Sequence, residues 1–277
     1  MPTIDLHCHS TISDGVLSPG DLVARAAENG VEILALTDHD DCDGLIEARH
    51  AAESRNIAFV NGVEISVTWR GRTLHIVGLN IDPENADLKN GLNTLREGRI
   101  RRAKLIAEGL AKAGISGSFE GAYRFASNKN LIGRTHFARF LVEKGHAKDI
   151  PSVFRKFLTH GKPGHVAHQW AQLSEAVGWI RKSGGIAVIA HPGRYDLSTA
   201  ALEALFEEFR EARGEGLEVV TSSHTKEMAM RFCGFARRFD LFASLGSDFH
   251  SPDESRMDVG RLPPLPEGCR PIWEGLA

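Results

Sequence analysis

The chain has 277 residues, of which 42% are hydrophobic and 25% are charged, and its formal net charge is −3. Such a composition is typical of a folded globular protein, and the near-neutral charge argues against bulk attraction to long nucleic acid, so no DNA partner is inferred. The sequence shows neither a bilayer-length apolar run nor a secretory leader, which favours a cytoplasmic protein without a membrane partner.

The first part of the chain alternates strands and helices. TIDLH predicts a strand, and the following helix has Ser18 as its N-cap, Pro19 at its first position and Gly30 at its end. The strand VEILALTDH, the helix LIEARHAAESRN and the strands IAFVNGVEISV and TLHIVGLNI continue the series. Strands and helices joined by short connections predict parallel strands in an α/β layer or barrel.

The middle of the chain breaks this alternation. Between residues 85 and 168 the apolar spacing indicates helices, among them THFARFLVEKGH and DIPSVFRKFLTHG. Beyond it, the strands IAVIAHP, LEVVTSS and LFASLGSDFH alternate with helices again. We therefore predict one α/β domain formed by residues 1–84 and 169–277, with a helical insertion subdomain at residues 85–168.

The four cysteines are scattered and show no C-x-x-C spacing; they are Cys8, Cys42, Cys233 and Cys269. This pattern predicts free thiols in a reducing compartment. Cys8 lies between two histidines, but neighbouring strand residues face opposite sides, so we expect its thiol to point away from them.

Histidines and carboxylates recur where predicted strands end. His7 and His9 are two residues apart and share one face of a strand, which suits two imidazoles on one metal ion, and Asp248 and His250 repeat this spacing. A single strand-end histidine is more often a surface or hydrogen-bonded residue. The set, however, falls at the strand ends on which barrel sites are built. It comprises His7, His9, Asp14, His39, Glu64, His75, His191, Asp248 and His250.

The motifs DLHCHS, SDG, TDHD, GVE, HIVG, AHP and SDFH, in this order, resemble the polymerase-and-histidinol-phosphatase (PHP) superfamily over the whole chain. The resemblance implies a distorted (β/α)7 barrel with up to three divalent metal ions at the strand ends. It places His7, His9, Glu64 and Asp248 on the first ion, Glu64, His75 and His191 on the second, and Asp14, His39 and His250 on the third.

The carboxylate of Asp14 departs from many trinuclear members, which have a histidine at that position. It favours a hard ion such as Mn²⁺ there, while Fe²⁺ or Zn²⁺ stays open at the other two positions. Asp38 and Asp40 either orient a neighbouring imidazole or cap the following helix, for which Asp43 competes.

Three dications would outweigh three carboxylate ligands, so we expect an anionic substrate, and phosphate esters fit better than neutral amides. Water between the first two ions would have its pKa lowered and could act as the nucleophile. Glu64 and Asp248 are the candidate catalytic carboxylates. His224 is either a proton donor to the leaving oxygen or a surface loop histidine.

Basic residues predict a second anion site. Arg99 and Arg102 lie three apart on one helical face, although helical arginines more often face solvent. Arg134 is predicted in a loop, Lys162 in a glycine-rich loop and Arg194 just beyond a ligand. Together with Asp14 and His39, these are the candidate substrate-binding residues.

The combination of GRTHFAR, THGKPGHV and the R-x-x-R helix resembles one PHP subfamily, that of 3′,5′-nucleotide bisphosphate phosphatases and 5′→3′ oligoribonucleases. In that subfamily a second basic pocket holds the substrate 5′-phosphate, which bidentate arginines suit well. A base could stack on Phe137, Tyr195 or Trp170.

The first hypothesis is therefore a phosphatase that removes the 3′-phosphate from a 3′,5′-bisphosphonucleotide. The alternatives are a 5′→3′ exonuclease on short 5′-phosphorylated RNA, a histidinol-phosphate or sugar-phosphate phosphatase, and a non-catalytic PHP scaffold. An amidohydrolase is a weaker alternative because the strand ends have no metal-bridging lysine. The sequence leaves the oligomeric state open.

Overall fold

Among the described residues, eight strands rich in aliphatic residues form one sheet, and seven of them follow a path that curves into a nearly closed barrel. The computed structural model describes residues 2–167 and 169–275. The strands are β1 Ile4–Asp5, β2 Ile33–Leu36, β3 Ala58–Trp69, β4 Arg72–Leu79, β5 Ala171–Gln172, β6 Ile186–Ile189, β7 Gly216–Thr221 and β8 Phe242–Gly246. Their order is β1-β2-β3-β4-β6-β7-β8, and β5 pairs with β3 beside this path. The backbone N–H of Leu6 donates to the carbonyl of Leu245 at 3.1 Å, which joins the two ends of the sheet. The predicted seven-stranded α/β barrel is confirmed.

Helices lie outside the barrel and in the insertion. They are α1 Pro19–Glu28, α2 Leu45–Glu53, α3 Ala86–Lys112, α4 Ser118–Phe125, α5 Arg134–Glu143, α6 Ile150–Val153, α7 Leu173–Lys182, α8 Thr199–Glu211 and α9 Lys226–Arg238. Helix α1 starts as predicted, because Ser18 Oγ accepts the N–H of Asp21 and Pro19 follows the cap. Its residues Leu22 and Ala26, one turn apart, bury one face against the barrel.

Strand β4 departs from the parallel arrangement that the sequence predicts. It pairs antiparallel with both β3 and β6, whereas the other neighbours on the main path are parallel. Only Arg70 and Gly71 separate β3 from β4, and both have positive φ values of 46° and 76°. A two-residue turn makes a hairpin, since a parallel pair needs a long crossover. As a result, Glu64 and His75 lie within strands rather than at strand ends.

The predicted insertion contains α3 to α6 and a second apolar cluster. Helix α3 is a single helix of 27 residues. Its first half packs on α7, where Gly91 leaves room for the ring of Trp179. Its second half contributes Ile106 and Leu110 to a cluster with Phe137 and Leu141, separate from the barrel core. The assignment of residues 85–168 as a subdomain stays a prediction.

The expectation of four free thiols is wrong for two of them. Cys233 on α9 and Cys269 in the last segment form a disulfide across 36 positions of sequence, because this segment folds back along β8, where the N–H of Ala243 donates to the carbonyl of Arg270. The Cys8 thiol donates to the Ala35 carbonyl at 3.1 Å, away from its histidine neighbours. None of the described helices is long and apolar enough to cross a membrane.

Candidate metal centre and substrate cleft

Nine side chains that the sequence predicts as metal ligands meet at one end of the barrel. They are His7 and His9 after β1, Asp14 in the next loop, His39 after β2, Glu64 in β3, His75 in β4, His191 after β6, and Asp248 and His250 after β8. Neighbouring imidazole rings in this group have centroids 4.1–5.6 Å apart. The structure brings all of these residues together.

The backbone at the barrel rim allows this close approach. At Gly246, the end of β8, a Cβ atom would lie 2.2 Å from the Cβ atom of His7, so only glycine fits. His191 and Asp248 have positive φ values of 28° and 55°, which residues other than glycine rarely adopt. Strained backbone of this kind clusters at functional sites, where surrounding contacts hold it in place.

The spacing of the first predicted ligand set fits one divalent cation. The Nε2 atoms of His7 and His9 are 3.2 Å apart, and each lies 3.4 Å from an oxygen of Glu64. Asp248 Oδ1 lies 3.6 Å from His7 Nε2 and 3.3 Å from His9 Nε2. Ligands about 2.1 Å from a tetrahedral ion are separated by roughly 3.4 Å. These four side chains therefore have the separations that such an ion requires.

Glu64 is fully buried and is approached by more imidazole nitrogens than hydrogen bonding explains. Its oxygens lie 2.6 Å from His39 Nδ1, 2.8 Å from His75 Nδ1 and 3.0 Å from His191 Nε2. Within the described chain, Glu64 Oε2 and the Nδ1 atoms of His39 and His75, which face Glu64, are nevertheless buried without a hydrogen-bond partner. Buried polar atoms are almost always satisfied, so these convergent lone pairs fit ligands of a cation.

The third predicted ligand set lies around Asp14. Asp14 Oδ1 is 3.2 Å from His250 Nε2 and 3.9 Å from His39 Nε2. This oxygen is also buried without a hydrogen-bond partner among the described residues. The donor atoms of His9 lie within 4.8 Å of this set, so His9 borders the third group as well as the first.

Some of the predicted ligands already have the charge that metal binding requires, whereas, although burial opposes it, Asp14 raises the pKa of His250 to about 9. Burial would raise the pKa of Glu64, but His39, His75 and His7 hold it well below its usual range. Burial lowers the pKa of His75 to about 4. Burial and the neighbouring His250 similarly lower the pKa of His9 to about 3. At neutral pH this carboxylate is therefore ionised and these two imidazoles are neutral, which are the forms that coordinate metals.

Glu218 on β7 is a site residue that the sequence analysis missed. It is 1% exposed, its Oε1 lies 2.7 Å from Nδ1 of His7, and its other oxygen accepts the backbone N–H of His191. A carboxylate that accepts a hydrogen bond from one ring nitrogen orients the imidazole so that its other nitrogen can bind a metal ion. The signal in the sequence was a charged residue inside the apolar strand LEVVTSS.

Asp38 does not cap helix α2, whose N-cap is Gly44 without a side-chain hydrogen bond. Its carboxylate accepts the N–H and hydroxyl groups of both Ser10 and Ser13. Asp38 therefore stabilises the loop between His9 and Asp14, two predicted ligands, rather than bonding an imidazole directly.

A cleft of about 140 Å³ lies between the metal-ligand cluster and the helical insertion. Asp14 and His39 line it, together with four of the predicted substrate-binding residues, which are Arg99, Arg102, Arg134 and Arg194. The predicted residue Lys162 does not line this cleft, because its loop leaves it exposed on the surface.

Two of these arginines are paired with carboxylates. Arg99 Nε donates to Asp40 Oδ2 at 2.7 Å, and a terminal nitrogen of Arg99 donates to Ser66 Oγ at 2.9 Å. Asp40 thus holds Arg99 rather than capping a helix. Arg194 donates to a carboxylate oxygen of Asp248. The charge of both guanidinium groups is therefore largely balanced.

Arg102 and Arg134 have no such balance. Neither has a carboxylate within ion-pair distance in the described part of the chain, and Arg102 reaches only the carbonyl of Val166 at 3.4 Å. Burial, followed by repulsion from Arg134 and Arg99, lowers the pKa of Arg102 to about 9. Burial, followed by repulsion from Arg99 and Arg194, also lowers the pKa of Arg134. An anion between the two side chains would relieve this repulsion.

The start of helix α5 adds backbone donors beside this pair. Arg134 is the first residue of α5 rather than part of a loop, and the N-cap is Gly133, which offers no side-chain hydrogen bond. Gly133, Arg134 and Thr135 all line the cleft. The first amides of a helix lack partners within it and carry partial positive charge, so they suit a phosphate group.

Aromatic walls of the cleft are only partly those predicted. Phe137 is fully buried in the insertion and cannot stack on a base. Tyr195 accepts the backbone N–H of His75, which engages its hydroxyl. Trp170 lines the cleft, and the guanidinium carbon of Arg102 lies 5.3 Å from the centroid of its ring. Phe154, which the sequence analysis did not select, also lines the cleft.

The contacts of His224 favour a supporting role, and its predicted role as a proton donor stays a prediction. Its Nδ1 lies 2.9 Å from the carbonyl of Val219, and its Nε2 accepts the backbone N–H of Gly193 at 3.0 Å. A neutral imidazole with its proton on Nδ1 satisfies both contacts and has no proton to donate at Nε2. His224 therefore supports the turn that precedes Arg194.

We expect His224→Ala to lower stability more than it changes the chemistry. Leaving Gly193 and Val219 unsatisfied should lower the free energy of unfolding by about 1–3 kcal/mol. Denaturant unfolding should show this loss, while the alkaline limb of the pH–rate profile keeps its position. If a fully folded His224→Ala variant lost the alkaline limb of the pH–rate profile, His224 would be the group that donates a proton to the leaving oxygen.

The sequence of this chain is similar to those of several known proteins. The profile of the PHP domain family matches residues 5–222. A 3′,5′-nucleoside bisphosphate phosphatase from Chromobacterium violaceum is 52% identical over 100% of this chain and 97% of its own length. A 5′-3′ exoribonuclease Rnm from Salmonella typhimurium is 44% identical over 98% of this chain and 92% of its own length.

Solved structures give the same fold. That of an amidohydrolase from Chromobacterium violaceum, with bound sulfate and no metal, has a TM-score of 0.96 and 52% identity, covering 99% of this chain and 95% of the other. A proposed metal-dependent phosphoesterase from Bifidobacterium adolescentis has a TM-score of 0.81 and 26% identity, covering 97% of this chain and 92% of the other.

Proposed function

The chain belongs to the PHP domain family, and we propose that it is a metal-dependent phosphoesterase that removes the 3′-phosphate from 3′,5′-bisphosphonucleotides. Adenosine 3′,5′-bisphosphate would give the nucleoside 5′-monophosphate and phosphate. One observation carries this proposal. A cluster of metal-ligand residues and the unpaired Arg102 and Arg134 line the same cleft.

We propose three divalent ions as cofactors, Mn²⁺ first, with Fe²⁺ or Zn²⁺ as alternatives. The unpaired nitrogens and oxygens of the cluster support this. The residues that would hold the ions are His7, His9, Asp14, His39, Glu64, His75, His191, Asp248 and His250. Bound there, such ions lower the pKa of water and neutralise phosphoryl oxygens. Arg194, beside Asp248, would orient the 3′-phosphate from the solvent side.

Arg102 and Arg134 would bind the 5′-phosphate, helped by the first amides of α5. The two guanidiniums would share the charge of one dianion and end their mutual repulsion. A substrate held at both ends presents its 3′-phosphate in a fixed place, which lowers the barrier through orientation. A histidinol-phosphate or sugar-phosphate phosphatase would leave this arginine pair without a role.

A second candidate function is 5′→3′ cleavage of short 5′-phosphorylated RNA. A cavity of about 510 Å³ shares Arg194, Asp248 and His250 with the cleft but not Arg102 or Arg134. It would accept a nucleotide joined to the 3′-phosphate. The similarity to the exoribonuclease from Salmonella typhimurium supports this candidate.

Initial rates with Mn²⁺ test the proposal. The substrates are adenosine 3′,5′-bisphosphate, adenosine 3′-monophosphate, histidinol phosphate and a 5′-phosphorylated trinucleotide. We expect the bisphosphate to exceed the 3′-monophosphate in kcat/KM by about a hundredfold, because charge-assisted hydrogen bonds contribute about 1.5–3 kcal/mol each. Equal values for these two would contradict the anchor. A faster trinucleotide would make the exonuclease the main activity.

A further inference from the structure

A cavity next to the arginine pair is lined by none of the nine predicted metal ligands. It has a volume of about 620 Å³ and lies between the β3–β4 hairpin, α3, α5 and the loop before β5. It shares Thr73, Arg102 and Arg134 with the cleft. The two arginines therefore stand between this cavity, named here the outer pocket, and the metal-ligand cluster.

The lining of the outer pocket suits an anion. Besides Arg102 and Arg134 it contains His160 and His165, whose ring centroids are 5.1 Å apart, and Gln169. No carboxylate lines it among the described residues. The cavity on the Arg194 side differs, since two carboxylates, Asp248 and Glu254, line it opposite the cations Arg194 and Arg256, and the aromatic ring of Phe154 also lines it. An aromatic base would stack better there, on Phe154.

The size of the cleft also calls for an adjoining space. Its volume of about 140 Å³ is below the range of about 300–1,000 Å³ that is usual for small-molecule sites. A bound nucleotide must therefore extend into neighbouring cavities. With the 3′-phosphate at the metal ligands and the 5′-phosphate at Arg102 and Arg134, any group attached beyond the 5′-phosphate would enter the outer pocket.

We propose that the outer pocket is a subsite for a second phosphoryl group on the 5′ side, so that nucleoside 3′-phosphates carrying a 5′-diphosphate are also substrates. This inference rests on the proposed function. The reaction keeps its form: the oxygen of water bonds to the 3′ phosphorus, and the bond from phosphorus to the ribose 3′ oxygen breaks. That oxygen takes a proton, inorganic phosphate leaves, and the 5′-diphosphate stays intact.

His165 and His160 are the donors that we assign to the second phosphoryl group. Burial, followed by repulsion from His160, Arg102 and Arg134, lowers the pKa of His165. A neutral imidazole at this place donates one N–H and adds no repulsion to the arginine pair. The pocket therefore accepts an anion without placing a third permanent cation beside Arg102.

The test compares adenosine 3′-phosphate 5′-diphosphate with adenosine 3′,5′-bisphosphate in Mn²⁺. For the unmodified protein we expect kcat/KM values within about threefold of each other. In the double variant His160→Ala/His165→Ala the diphosphate should lose about tenfold, as one or two hydrogen bonds are removed, while the bisphosphate changes less than about twofold. Lys156→Ala, an exposed residue that lines neither cavity, is the matched control.

The outcomes distinguish a failure of the proposed subsite from a failure of the proposed function. Turnover of the bisphosphate with rejection of the diphosphate by a hundredfold or more would overturn the subsite alone. An equal loss on both substrates in the double variant would also overturn it, because the histidines would then act on a shared part of the substrate. Absence of bisphosphate turnover would overturn the proposed function and this inference with it.

Discussion

Glu64→Gln should lower turnover by more than about a thousandfold and empty part of the metal centre. Glu64 oxygens lie within 3.4 Å of nitrogens from His7, His9, His39, His75 and His191. Glutamine keeps the shape but removes the charge that offsets the cations, and its amide N–H groups would point at imidazole lone pairs. The measurements are kcat on adenosine 3′,5′-bisphosphate and elemental analysis of bound Mn²⁺ per chain.

The matched control for this change is Glu97→Gln on α3, where the side chain is 76% exposed and pairs only loosely with Arg101. Its activity and metal content should equal those of the unmodified protein. Thermal unfolding with and without Mn²⁺ gives a readout independent of turnover, because an ion that binds only the folded state raises Tm. If the Glu64→Gln protein kept its full metal content and its full Tm shift, Glu64 would not be a ligand of the metal ions.

The cluster of candidate metal ligands could be predicted because its signals are local. His7 and His9 share a strand face through a period of two, and this holds wherever the strand lies. Strand ends in a barrel face one rim, so most of the candidate ligands, although distant in sequence, can be expected to meet. The hairpin of β3 and β4 escaped prediction because the apolar runs of parallel and antiparallel strands look alike, and only the two-residue turn at Arg70 separates the cases.

Partners that depend on long-range contact could not be predicted. Glu218 meets His7 across 211 positions of sequence, and Asp40 meets Arg99 across 59. Four arginines could be predicted near the substrate, yet the fold balances the charge of Arg99 and Arg194 and leaves Arg102 and Arg134 without a carboxylate among the described residues. The packing of the insertion against the barrel decides which arginines have a carboxylate partner. The spacing of residues along the sequence does not contain this information.

Replacing both Arg102 and Arg134 by alanine should remove the preference for a 5′-phosphate. Each guanidinium would make charge-assisted bonds of about 1.5–3 kcal/mol, so the double variant should lose about 10²–10⁴-fold in kcat/KM on adenosine 3′,5′-bisphosphate. Activity on p-nitrophenyl phosphate, which has no second phosphate, should stay within about threefold. Steady-state kinetics on both substrates measure the two effects.

Stability makes this prediction sharper, because it separates a binding role from a structural one. The buried Arg102 and the half-buried Arg134 have no carboxylate partner among the described residues and destabilise the free protein, so their removal should leave Tm unchanged or raise it. Arg101→Ala is the matched control, since this neighbour on the same helix is 69% exposed and faces solvent. An equal loss on both substrates together with a lower Tm would show that the pair supports the fold instead. If the double variant loses activity on the bisphosphate alone and keeps its Tm, Arg102 and Arg134 bind the 5′-phosphate and do not support the fold.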